Sequence, residues 1–139
     1  MKKVVILALC VVTLVACKEG KTNPAQLQND SLRSIVEARD NEINDMMGTL
    51  NDIQQGFAEI NAAEQRVTIA KAGEGADKTA QIKENIQFIA QRMQENRELI
   101  KKLQQQLRET GFKGDQMRKT IENLMAQLSQ KDVELKKLR

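Results

Sequence analysis

Few side chains in this chain could do chemistry. The thiols are Cys10 and Cys17, histidine is absent, and the other candidates are carboxylates, lysines and arginines within a 29 % charged composition. Without histidine the commonest general acid–base group is missing, so proton transfer would fall to carboxylates or lysines whose pKa values must be shifted inside a shaped cleft. The pairs Glu37/Asp40 and Glu95/Glu98 stand three residues apart, the ordinary spacing of a solvated helix face. A zinc site would need histidines or several free cysteines. A calcium loop would need acids alternating around a glycine, and Gly73-Glu74-Gly75 lacks the Gly-Lys-Ser/Thr ending of a phosphate loop. These residues predict no enzyme, no metal, no cofactor and no small-molecule substrate.

Cys17 stands apart because of what precedes it. Met1-Lys2-Lys3 is a short basic head, and Val4 to Ala16 is aliphatic but for Cys10 and Thr13. A helix crossing a bilayer needs about 20 apolar residues, so this run is too short to span and suits the hydrophobic region of a signal peptide over residues 1–16. Its end, Leu14-Val15-Ala16-Cys17, resembles the lipobox of bacterial lipoproteins. That resemblance implies diacylglyceryl on the Cys17 sulfur, cleavage after Ala16 and acylation of the new N-terminus. Cys10 would leave with the signal peptide, so the mature chain could form no internal disulfide. One acyl chain anchors marginally, and two or three hold stably. In enterobacteria an Asp after the lipidated Cys favours retention at the inner membrane. Lys18 stands there, which favours the outer membrane. Lys18-Glu19 also resembles part of the Lys-plus-acid surface-export signal of Bacteroidetes lipoproteins, with Gly20 where a second acid is usual. Which side of the membrane the protein faces is left open.

The elements that follow are helical. Leu, Ile, Met and Ala with Gln, Glu, Lys, Arg and Asn form the alphabet of long solvated helices carrying a buried seam. Residues 17–29, with Gly20 and Pro24 and no periodicity, read as the lipidated Cys and a flexible tether. Helix 1 is expected over 30–71, opened by Asp30, Ser31 or a Ser34-x-x-Glu37 capping box. With Val36 at heptad position a, the a series runs Val36, Ile43, Leu50, Phe57, Glu64, and the d series Leu32, Arg39, Met46, Ile53, Ile60, Val67. Such a 3.5-residue repeat argues for a coiled-coil seam. Gly56 falls at g beside this seam and is a candidate for close helix packing, whereas Gly48 falls at f, away from it. A turn is expected over 72–77, with Gly73 as C-cap and Asp77 as the next N-cap, and the seam slips by one residue there.

Helix 2 is expected over 78–139. Its a positions are Ile86, Met93, Ile100, Leu107, Gly114, Ile121, Leu128 and Leu135, and its d positions include Ile82, Ile89, Asn96, Leu103, Met117, Leu124, Lys131 and Leu138. The count passes through Gly111-Phe112-Lys113-Gly114 without slipping, so a bend or continuous helix is predicted at 111–114, with a second short turn as the alternative. The expected fold is all-α, a long antiparallel helical hairpin or coiled coil. Helix 2 would outrun helix 1 and leave Ile121, Leu124, Leu128, Leu135 and Leu138 unpaired. That stripe would be covered by a second copy, another helical protein or residues beyond Arg139, since the chain ends in mid-heptad without a cap. The polar seam residues Arg39, Glu64, Asn96 and Lys131 either fix the register or mark frayed, wet positions.

The predicted mature chain carries 20 basic residues, the 22 of the whole less Lys2 and Lys3, against 19 acidic ones. Near-neutrality with interleaved charges and almost no aromatic residues disfavours nucleic acid as a partner. The pattern over most of the chain resembles uncharacterised coiled-coil lipoproteins of Bacteroidetes, which implies an envelope protein with a structural, scaffolding or partner-binding role. A membrane-to-peptidoglycan tether of the Braun lipoprotein type is the alternative, although Arg139 is last and Lys136 and Lys137 are internal. An anchor segment for a longer chain is a further one.

Overall fold

The computed structural model describes residues 23–73, 75–111 and 114–139. The predicted signal peptide, Cys17 and the first residues of the tether lie outside them. The described residues are mostly helical and contain no strand: α1 runs Pro24–Lys71, α2 Ala76–Glu109 and α3 Asp115–Leu138. The expected all-α class is observed.

Three boundaries differ from expectation. Helix α1 begins at Pro24, well before residue 30. The Asn23 side chain accepts a hydrogen bond from the Ala25 amide at 3.3 Å, and Pro24 occupies the first helical position, where its missing N–H costs nothing. An Asn-Pro pair is thus a start signal in place of Ser34-x-x-Glu37, and residues 24–29, expected in the tether, are helix. At the first turn Gly75, with φ 138°, stands at the N-cap of α2, and Asp77 lies in the first helical turn instead of capping it. Glycine is the residue that adopts that backbone without strain.

The third difference changes the architecture. The chain does not run straight or merely bend at 111–114. It turns back, through Gly111 at φ 60°, and α3 packs antiparallel along α2. The Gly111 amide bonds the Arg108 carbonyl at 3.4 Å, which closes α2. A heptad count that survives a turn is compatible with one helix or two, because the count records which residues are apolar and not which way the axis points. Gly111 permits the reversal, since its left-handed backbone ends a helix at little steric cost.

The chain divides into two compact units, residues 1–39 and 40–139. In the first, residues 24–39 belong to α1, and Leu32, Ile35 and Val36 are exposed. The second is a three-helix, up-down-up bundle. Opposite directions of α1 and α2 follow from the contacts Thr49–Gln106, Ile53–Asn96, Glu59–Arg92 and Arg66–Asn85. Parallel directions of α1 and α3 follow from Glu64–Lys131 and from Lys71 donating to the Leu138 carbonyl. The core between them holds Met46, Ile53, Ile60, Ile89, Met93 and Leu103, each at most 2 % exposed.

Candidate functional site

The candidate site is the seam, the feature through which this chain would hold a partner. Inside the bundle α1 buries three heptad columns. Columns a and d contribute Met46, Leu50, Ile53, Phe57, Ile60 and Val67, and column g contributes Thr49, Gly56, Ala63 and Ala70. Small residues every seven positions let two neighbouring helices approach one face at once, whereas an a/d stripe alone suits a single partner. This small-residue column was legible as a spacing, yet only its Gly56 stands out when glycines are read as helix breakers.

At Gly56 the approach is closest. A Cβ built there would overlap Asn96 Oδ1, and the Asn96 amide donates to the Ile53 carbonyl at 3.1 Å. Asn96 is 1 % exposed, so its polar head is buried against the backbone of α1. Gly48 has nothing within 4 Å of an added Cβ, as expected for position f. Of the two readings of Asn96, registration is the one its burial and its bond to Ile53 support.

Two other polar seam positions meet each other. Lys131 Nζ lies 2.6 Å from Glu64 Oε2 and 2.7 Å from Glu134 Oε2. Burial by itself depresses the Lys131 ammonium, but hydrogen bonds to Glu134 and Glu64 outweigh it and raise the pKa above 10.5. The bond from Lys131 holds the Glu134 carboxyl below its usual 4.5. Glu64 Oε1, also buried, has no hydrogen-bond partner among the described residues. Outside the seam Arg92 reaches Glu59 at 2.6 Å and Glu95 at 2.7 Å and lies over the Phe88 ring, while Arg97 pairs with Asp132 at 2.9 Å.

These contacts predict a pH signature. Replacing Lys131 by Met leaves Glu64 without its cation in a part-buried place, expected to cost about 1–3 kcal/mol at neutral pH. The Glu134 contribution is present above 4.5, its unfolded value, and is lost as pH falls through the lower folded value. The Lys131 contribution is present below 10.5 and is lost as pH rises through the higher folded value. Urea unfolding of the two proteins from pH 3 to pH 9 should therefore show a constant gap from about pH 6 upward that narrows in acid.

Among the other expected seam residues, Leu50, Phe57, Ile100, Leu107, Ile121, Leu124, Leu128 and Leu135 are buried and Ile86 is half-buried. The expected unpaired stripe on the last part of the chain is thereby corrected: Ile121, Leu124, Leu128 and Leu135 lie 4–7 % exposed in the core, because α3 folds back onto α2 and α1. The exposed seam is elsewhere. Val36 is 57 % and Ile43 39 % exposed, as is Leu32 at 57 %. Upstream of Met46 the g column changes from small residues to Glu42 and Ile35, which would block the two-sided packing seen below it.

Among the described residues no group of three or more His, Cys, Asp or Glu side chains could hold a metal ion, and no helix is long and apolar enough to cross a membrane. A groove of about 610 Å³ beside Leu107, Arg108, Arg118 and Ile121 is open to solvent. No family model, curated protein or solved structure matches the chain.

Proposed function

We propose that this is a lipid-anchored envelope protein, held through Cys17, whose helical body has a scaffolding or partner-binding role. The observation that carries the reading is the order of parts in the N-terminal sequence: Lys2-Lys3, an aliphatic run too short to span, then Leu14-Val15-Ala16-Cys17. The body supports it in a different way. The polar seam residues Asn96 and Lys131 bond the Ile53 carbonyl and the Glu64 carboxylate across the helices, contacts that serve helix pairing. The resemblance to lipoproteins favours the outer membrane.

The test is made on protein exported by a bacterial host. Mass spectrometry of the N-terminal peptide is expected to begin at Cys17 and to carry diacylglyceryl and acyl groups. Cys17→Ser is expected to shift the protein from the membrane pellet to the soluble fraction or to leave it unprocessed. A chain that keeps residues 1–16, or a Cys17 free of lipid, refutes the proposal.

A further inference from the structure

We infer that α3 is exchanged between two copies of this chain: opened at the turn between α2 and α3, each copy carries one long helix and lays its α3 on the α1 and α2 of the other. The face of α1 and α2 that α3 covers is then an interface whose partner is a second copy, whether or not Cys17 carries lipid. Three features argue for that occupant. The first is phase. The heptad columns of α2 and α3 form one series, with Ile100, Leu107, Gly114, Ile121 and Leu128 at a, and Leu103, Thr110, Met117 and Leu124 at d. A helix running on through 110–114 therefore keeps both stripes on one face. A closed hairpin has no need of this match, because its turn sets the phase of α3 afresh.

The second feature is register. Arg97 pairs with Asp132, and Gln104 donates to the Met125 sulfur, so each step of seven along α2 is met by a step of seven back along α3. All four residues are at e. The next step sets Gly111 opposite Arg118, and both line one groove at the turn end of the bundle. Two long α2–α3 helices laid antiparallel repeat this register about a two-fold axis near Gly114 and Asp115. Each α3 then makes with its partner the contacts it makes in the closed chain, Lys131 with the partner's Glu64 among them. The interface is self-complementary, so the assembly closes as a dimer.

The third feature is how little holds the turn. Helix α3 starts at Gly114 without a side-chain cap. Helix α2 closes through bonds of 3.4 Å, from the Gly111 amide to the Arg108 carbonyl and from the Thr110 hydroxyl to the Leu107 carbonyl. A continuous helix pairs the backbone groups that two helix ends leave open, whereas the two glycines disfavour it relative to alanine. The packing of α3 is the same in both forms, so the turn and the concentration set the balance between them. The closed monomer prevails in dilute solution and the exchanged dimer where chains are concentrated.

The test uses the full chain. Copies carrying Glu64→Cys and copies carrying Lys131→Cys are made together in one bacterial host and mildly oxidised, with the double variant Glu64→Cys/Lys131→Cys as the control for reach within one copy. The mixed covalent dimer is expected at about tenfold or more the yield from either copy made with unsubstituted protein, because those positions meet across copies when α3 is exchanged. A second measurement leaves that pair intact. Gly111 stands at φ 60°, and an added Cβ meets nothing within 4 Å among the described residues, so Gly111→Ala strains the turn through its backbone alone while favouring the long helix. Sedimentation equilibrium in detergent is expected to show the dimer fraction raised about fivefold or more at equal concentration, with helicity by circular dichroism kept. A mixed dimer at background yield, or a Gly111→Ala protein that stays monomeric or loses its helicity, overturns the exchange and leaves the lipid-anchor reading standing.

Discussion

Ile53→Ala is expected to lower the unfolding free energy by about 2–5 kcal/mol, whereas Val36→Ala changes it by less than about 0.5 kcal/mol. Both residues are seam positions of one helix, and the heptad pattern alone treats them alike. Ile53 is 0 % exposed and lies among Met46, Phe57, Ile89 and Met93 in the bundle core, so truncation loses transfer energy and leaves a cavity that close-packed neighbours fill only in part. Val36 is 57 % exposed, and its truncation removes methyl groups already in water. Urea unfolding of the monomeric, unlipidated mature chain at low concentration reads the difference. Equal losses at the two positions would mean that the seam is covered evenly along α1 and would contradict the three-helix bundle.

The second large effect is expected at Gly56. Replacing it with Leu drives a side chain into the space of Asn96, where even a Cβ would overlap Oδ1. Overpacking of this kind costs roughly 1–3 kcal/mol, and expelling the Asn96 amide from the Ile53 carbonyl adds about 1–3 kcal/mol for a buried group left unsatisfied. Gly56→Ala should be milder but of the same sign, despite the better helix propensity of alanine. The reciprocal change is informative. Asn96→Ala removes the obstacle, so Gly56→Ala measured in that background is expected to be neutral or stabilising, and the coupling energy of the double-mutant cycle should exceed about 1 kcal/mol. Additive losses would show that the contact at Gly56 does not limit the approach of α2 to α1.

The helical class, the seam on each helix and the special place of Gly56 were legible in the sequence because each is a local periodicity. An apolar residue every three or four positions must face something, whatever that something is. The start of α1 is less legible, because Asn and Pro together fit a tether as well as they fit a helix start with Asn at the cap and Pro at the first helical position. The small column Thr49, Gly56, Ala63, Ala70 was present as a spacing too, but its meaning depends on a second neighbour.

What the residues determined alone is therefore which faces are apolar and the order of the parts from the basic head through Cys17 to the helices. Direction was left to the tertiary structure. At 111–114 the heptad count is the same for a straight rod and for a reversal, and the choice turns on whether the apolar stripe of 121–138 gains more by burial on α1 and α2 than the chain loses by closing a short turn. Burying Ile121, Leu124, Leu128 and Leu135 at about 1.5–3 kcal/mol each outweighs that loss. The same reversal paired Glu64 with Lys131, 67 residues away in the chain, and so turned two apparent flaws of the seam into an ion pair at 2.6 Å. It also moved the unpaired seam from the last helix to the first, from Ile121–Leu138 to Leu32–Ile43. The hydrophobic effect sets how much surface must be covered and carries no direction, so which surface stays open is decided only when the helices have been packed.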